Sequence, residues 1–196
     1  MADINKNQNK MIKNNYYIIT GGPGAGKTTL INELERSGYK YVPEVARKII
    51  KHQLEVNGDA LPWADTKDYS RLMLEYCIRD YNQYIQNDEI LFFDRGIPDT
   101  LGYESLMNFQ ENNKLQEAVT NYRYNEHVFI LPPHEGIYTT DNERKQSFEE
   151  AAQTYKVMMS VYKKLSYNLI IVPFMPPILR AEFVINHIQK NRNLAI

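Results

Sequence analysis

Eight consecutive residues, Gly21-Gly22-Pro23-Gly24-Ala25-Gly26-Lys27-Thr28, carry the pattern glycine, four residues, glycine-lysine-threonine. Each residue type has a chemical reason to be there. Glycines admit positive φ, so the backbone N–H groups of Gly22, Gly24, Ala25, Gly26, Lys27, Thr28 and Thr29 can turn inward as a nest for a polyphosphate. A helix beginning near Lys27 adds the positive end of its dipole. The Lys27 ammonium is expected on the β- and γ-phosphates, and the Thr28 hydroxyl on Mg²⁺. A glycine-rich corner can also be only a tight turn, but lysine-threonine at a helix start serves no packing purpose. The motif therefore predicts binding of a nucleoside triphosphate, with ATP and Mg²⁺ as the expected cofactors.

Three further clusters could do chemistry beside that loop. Asp94 ends the apolar run Glu89-Ile90-Leu91-Phe92-Phe93 and is expected to hold the metal or its water shell, or else to cap the following helix. Arg95 is placed to touch a phosphate or an acceptor, or to brace Asp94. Asp99, after Gly96-Ile97-Pro98, is a candidate substrate contact that a helix cap beside proline explains equally well. Glu44, with Arg47 one turn later, is expected to accept a hydrogen bond or proton from an attacking hydroxyl, or else to pair with Arg47 or Lys48 on the helix surface. Residues 134–145 form a long, charged connection that reads as a lid closing over the triphosphate, with Arg144, next to Lys145, as the cation for the transferring group. The plainer alternative for that stretch is a solvated lead-in to the next helix, capped by Asp141.

Strands and helices must bring these side chains together. The pattern alternates: strands at 16–20, 39–43, 89–94, 127–131 and 169–172, and helices at 28–34, 44 to about 56, 66–86, 98–108, 111–122, 148–165 and 177–192. Five short apolar strands separated by helices predict an α/β fold, a parallel sheet covered by helices on both faces. In such a sheet ligands bind outside the carboxyl ends of the strands. Thr20, Pro43, Phe93 and Leu131 all end strands at that edge, so Glu44, Asp94 and the glycine loop should converge. Trp63, Tyr69 and Tyr103 are expected in the core or as walls of an acceptor pocket.

Composition narrows the classes. The 196 residues suit one domain over 15–196, preceded by an Asn- and Lys-rich stretch, 1–14, that reads as a flexible tail. The formal charge of −1 provides no basic field for nucleic acid or anionic lipid. No apolar run approaches the roughly 20 residues of a membrane span, and no signal-peptide core is visible, so the cytoplasm is the default location. Cys77, among Leu72, Met73, Tyr76 and Tyr81, reads as a buried, inert thiol.

The pieces Gly-Gly-Pro-Gly-Ala-Gly-Lys-Thr-Thr (21–29), Val-Pro-Glu-Val-Ala-Arg (42–47), Phe-Phe-Asp-Arg-Gly-Ile-Pro-Asp (92–99) and Asp-Asn-Glu-Arg (141–144) together resemble the P-loop kinase branch. That branch includes the thymidylate kinases, with an Asp-Arg pair after the third strand and an arginine-bearing lid. The resemblance is closer still to small AAA-labelled P-loop proteins similar to the ribosylnicotinamide-kinase domain of bifunctional NAD-biosynthesis regulators. It implies a three-layer P-loop NTPase sandwich of strand order 2-3-1-4-5 with a helical lid, and an ATP-dependent kinase acting on a small nucleoside- or nucleotide-like acceptor. Arg47, Arg95 and Asp99 would line the acceptor side. Two departures exclude other branches. Asn113-Lys114-Leu115-Gln116 lacks the acid of a guanine-reading motif, and no room remains after the fifth strand for the extra helical domain of a hexameric AAA motor.

Overall fold

A computed structural model describes residues 10–135 and 147–193. In chain order the elements are β1 Met11–Ile12, β2 Tyr16–Gly21, α1 Lys27–Arg36, β3 Lys40–Val42, α2 Val45–Glu55, α3 Thr66–Gln83, β4 Leu91–Asp94, α4 Ile97–Leu106, α5 Asn113–Asn121, β5 Tyr122–Arg123, β6 His127–Leu131, α6 Phe148–Lys164, β7 Asn168–Ile171 and α7 Pro177–Asn193.

The main sheet is parallel throughout, in the order β3-β4-β2-β6-β7. Counting only these five strands along the chain, that is the expected order 2-3-1-4-5. Alternation of side chains across the pleat explains why the strands read as continuous apolar runs. Tyr16 and Ile18, Leu91 and Phe93, and Val128 and Ile130 point to one face, into a core shared with α2 to α6. Tyr17 and Ile19, Phe92, and Phe129 and Leu131 point to the other, where Leu30, Ile31 and Leu34 of α1 meet Ala181, Val184 and Ile188 of α7. Each such fully buried aliphatic or aromatic side chain contributes about 1.5–3 kcal/mol.

Register sets the functional edge. Ile19 lies opposite Asp94 on one side and Phe129 on the other, and Gly21 opposite Leu131. The carboxyl ends of β4, β2 and β6 therefore finish at one level, with the glycine loop leaving β2 between them. Cys77 is buried against this core, and its burial pushes the thiol's pKa well up, as an inert cysteine requires.

Two expectations are corrected, one at the amino terminus and one in the loop before α3. The stretch 1–14 does not read as tail throughout, because Met11–Ile12 pairs in parallel with Tyr122–Arg123 in a second, two-stranded sheet. Lys13 Nζ then donates to the carbonyls of Ile85 and Asn87, at 2.9 and 3.0 Å. Trp63, expected in the core or a pocket wall, is 65% exposed, since the 57–65 loop turns it outward while Ala60 and Leu61 enter the interior. Among the described residues no helix is long and apolar enough to cross a membrane.

Candidate active site

The glycine loop crosses from β2 to α1 through Gly26, whose φ of 87° at the helix N-cap is a left-handed conformation that favours glycine. Gly22 is required for a different reason: a Cβ there would lie 2.5 Å from the Ala151 carbonyl of α6. Gly24 and Ala25 lie between them. Thr28 and Thr29, on the first turn of α1, are exposed, whereas Lys27 is buried. Lys27 Nζ donates to the carbonyls of Gly22 at 2.9 Å and Gly21 at 3.4 Å. Burial, then the nearby Arg95 guanidinium, lowers its pKa to about 8 against the pull of Asp94, Glu44 and Asp99.

Asp94 sits where β4 ends. It does not cap the helix that follows. That task falls to Asp99, whose Oδ2 accepts the Gly96 N–H at 2.9 Å. Asp94 Oδ1 is buried with no hydrogen-bond partner among the described residues. Burial raises its pKa to about 6, Lys27 opposing and Glu44 assisting. A buried, orphaned carboxylate oxygen within range of the Lys27 charge suits a hard cation or its water.

Glu44 and Arg95 meet across the crevice. Glu44 is the N-cap of α2, yet its side chain makes no cap bond. Instead its Oε1 accepts from Arg95 Nε at 2.7 Å, and its Oε2 lies 3.7 Å from Arg47 Nε. Burial alone would raise the Glu44 pKa, but Arg95 and Lys27 overcome it and hold the carboxyl below its ordinary value. Arg95 adopts φ 69°, a left-handed backbone that turns its side chain back between two carboxylates. Its Nη1 reaches Asp99 Oδ1 at 3.1 Å.

Of the two tasks the sequence left open for Asp99, substrate contact and helix cap, its surroundings favour the cap. It is 2% exposed, and its two oxygens accept from Thr20 Oγ1 (2.5 Å), Tyr162 Oη (2.6 Å), Arg95 and the Gly96 N–H. A substrate could reach it only by breaking one of these bonds, so its task is to position Arg95. Arg144 and Lys145 lie outside the described residues.

Several side chains here escaped the sequence reading. Thr20 and Tyr162 join β2 and α6 to Asp99. Arg180 of α7 is buried; it donates to the Ala25 carbonyl of the glycine loop (3.3 Å) and the Met175 carbonyl (2.8 Å), and stands over Phe174. Phe174 stacks on His134 with ring centroids 3.5 Å apart and nearly parallel planes. Leu131, Pro132, His134, Phe174 and Arg180 enclose a small cavity of about 30 Å³ at this end of the sheet. A larger groove, about 710 Å³, opens at the opposite, amino-terminal edge of the strands, away from the loop. Only the first of the two is at the edge where an open parallel sheet binds ligands.

The sequence pattern of the AAA-domain family matches residues 16–176. The chain belongs to that family. No curated protein matches it in sequence. In fold it is similar to crystal structures of NadR protein, in complex with NR and in complex with NAD and AMP-PNP. Both have a TM-score of 0.65 and 17% identity, and cover 89% of this chain. The chain spans about half the length of those proteins, 50% and 48%. Thymidylate kinase from Ehrlichia chaffeensis is similar at TM-score 0.56 and 15% identity, over 89% of this chain and 97% of that one. The fold is therefore that of the P-loop kinases, as the residue pattern predicted.

Proposed function

We propose that this AAA-family chain is an Mg²⁺-dependent phosphotransferase that moves the γ-phosphoryl group of ATP to a hydroxyl of a small nucleoside- or nucleotide-like acceptor. The observation that carries the reading is Glu44. It opens its helix without capping it, and is turned into the crevice and kept ionised by Arg95 and Lys27. A protein that only binds nucleotide has no use for a carboxylate held there.

Each residue then has a task. The backbone N–H groups from Gly22 to Thr29 and the dipole of α1 cradle the phosphates. Lys27 leaves the carbonyls of Gly21 and Gly22 for the β- and γ-oxygens, which restore the charge stabilisation that burial removes. Thr28 and Asp94 are the residues that would hold Mg²⁺, which supplies neutralisation of the phosphate oxygens. Among the described residues no three His, Cys, Asp or Glu side chains could hold a metal on their own; nucleotide oxygens and water would complete the set. Glu44 accepts a hydrogen bond from the acceptor hydroxyl and aligns it with the γ-phosphorus. With its pKa below the usual carboxylate value it is a weak base, so the proton leaves late. That matches a loose transition state, in which the bond to the leaving ADP breaks ahead of attack. Arg144 is proposed to close over the transfer from the lid. AMP-PNP in a NadR crystal structure supports the nucleotide assignment.

The test is ADP release with Mg·ATP across a screen of hydroxyl metabolites, repeated with Glu44→Gln. An acceptor should accelerate release, and Glu44→Gln should cut that acceleration by roughly 10²–10⁴-fold with nearly unchanged ATP affinity. A second reading is a nucleotide-gated binder that hydrolyses ATP slowly and signals through its lid. The contacts Gly22–Ala151 and Thr20–Asp99–Tyr162 favour it, since they join the loop to α6. It becomes the better account if no acceptor accelerates release and Glu44→Gln leaves basal hydrolysis untouched.

A further inference from the structure

We infer that Arg180 is a positioning residue of the phosphate site, its charge acting from behind the glycine loop through the Ala25–Gly26 peptide. The inference rests on the loop's reading as a polyphosphate site, and on no particular acceptor.

A charge without a counter-charge points there. Arg180 is 6% exposed, and arginines so buried are nearly always paired with an acid. The other cations of this edge obey that rule: Arg95 is held by Glu44 and Asp99, and Lys27 feels Asp94, Glu44 and Asp99. Among the described residues no acid pairs with Arg180, whose contacts are the carbonyls of Ala25 and Met175 and the ring of Phe174. Burial pulls its pKa below the ordinary arginine value, and no carboxylate pulls it back. A neutral donor could tie α7 to the loop without the cost of burying an unpaired charge. The charge therefore has a use beyond the tie.

The contact with Ala25 shows what that use is. Ala25 is buried, and its carbonyl accepts from Arg180 Nη1 at 3.3 Å. This carbonyl and the Gly26 N–H belong to one planar peptide and point in opposite directions. A guanidinium on the oxygen polarises the amide and leaves the N–H a stronger donor. The Gly26 N–H makes no hydrogen bond among the described residues, and it stands at the N-cap of α1, where the helix dipole already favours an anion. Arg180 thus strengthens the cradle without touching the phosphates, which are left to Lys27.

The arrangement is rigid. Arg180 Nε donates to the Met175 carbonyl at 2.8 Å, and the guanidinium stands 5.0 Å over the Phe174 ring. Further along α7, Ala181, Val184 and Ile188 pack with Leu30, Ile31 and Leu34 of α1. The cation and the helix it assists belong to one packed pair, so the charge is in place before any ligand arrives.

The experiment is calorimetry on the full chain, comparing the parent with Arg180→Gln, which keeps a donor and loses the charge, and Arg180→Lys, which keeps the charge. The probes are Mg·ATP, Mg·ADP and inorganic tripolyphosphate with Mg²⁺. Arg180→Gln should weaken all three by a common factor of about 10–100, the worth of a charged hydrogen bond, and Arg180→Lys should recover most of that loss. If Arg180→Gln melts lower yet binds every probe like the parent, Arg180 is only a structural tie; the inference falls and the loop assignment stands. A loss confined to the two nucleotides, with tripolyphosphate bound as before, places Arg180 on the base or sugar and overturns the inference as well. A parent that binds none of the probes overturns it together with the loop assignment. Amide NMR of the parent gives a second measurement that needs no variant to fold. The Gly26 proton should move downfield on adding Mg²⁺ and tripolyphosphate, and an unmoved proton would mean that its N–H meets no phosphate, which ends the inference.

Discussion

Lys27 and Asp94, each within range of the other's charge, are oppositely perturbed groups, and each gives a pH-dependent test. Lys27 is buried with a pKa lowered to about 8, so above that pH the free protein loses the proton that ATP requires. Mg·ATP binding should therefore take up a proton at pH 9 and little at pH 7, read by calorimetry in buffers of different ionisation enthalpy. Lys27→Ala should abolish that uptake and weaken ATP by about 10–100-fold, the worth of a charged hydrogen bond; unchanged affinity would refute the loop assignment. Asp94 carries the opposite strain. Its pKa is about 6 in the folded protein and 3.8 as a free side chain, so the ionised form is disfavoured by folding. The sign follows: stability is greatest below pH 3.8 and falls as pH rises through 6, by at most about 3 kcal/mol. Asp94→Asn removes that penalty. Without ligand it should melt higher than the parent at pH 7, with the gap closing as pH falls toward 4, while turnover with Mg·ATP drops by orders of magnitude. A variant less stable than the parent at pH 7 would give Asp94 a structural role instead.

Among the elements, Asp99 is the junction: β2 reaches it through Thr20, α6 through Tyr162, and the Asp-Arg turn through Arg95 and Gly96. Tyr162→Phe keeps the packing and leaves the carboxylate one donor short. Urea unfolding should show a loss of about 1.5–3 kcal/mol, because the partner is charged and buried; a loss under 0.5 kcal/mol would mean Asp99 does not depend on α6. The close approach of Gly22 to Ala151 makes a second test, since Gly22→Ala must push the loop and α6 apart. It should lower both the melting temperature and ATP affinity, whereas equal binding would show that the loop moves freely of α6. These joints also explain what the sequence could and could not disclose about the site. Glu44, Asp94 and the glycine loop were legible because their positions at strand ends, and the loop's fixed spacing, are local signals. Thr20, Tyr162 and Arg180 were not, since their partners lie 79, 63 and 155 residues away along the chain. Asp99 was found with two tasks left open, because spacing cannot tell a buried capping carboxylate from one that faces a ligand.

Over the whole molecule, the order of the five main strands was legible for a physical reason. Runs such as Tyr16-Tyr17-Ile18-Ile19 are apolar at every position only when both faces of the strand are buried, and the glycine motif places that strand in the middle. What stayed hidden was the second, two-stranded sheet of β1 and β5. Met11–Ile12 and Tyr122–Arg123 are too short for a periodic signal, and Lys13 and Asn14 beside them read as solvated chain. Yet this segment carries real contacts: Lys13 holds two carbonyls in the turn after α3, and the fully buried Tyr81 sends its hydroxyl toward the carbonyls of Met11 (3.3 Å) and Arg123 (2.9 Å). Deleting residues 1–14 removes two Lys13 hydrogen bonds, part of the cover over Tyr16 and Tyr81, and the pairing of β1 with β5. The loss should be about 2–4 kcal/mol in urea unfolding. Because β1 sits at the amino-terminal edge of the strands and the glycine loop at the carboxyl edge, the two should act independently. Below its melting point the shortened chain should bind Mg·ATP within about twofold of the parent, the scatter of uncoupled distant sites. A stable truncation would reduce β1 to an adventitious pairing. A large loss of ATP affinity in a folded truncation would mean instead that strain at one edge of the sheet reaches the loop at the other.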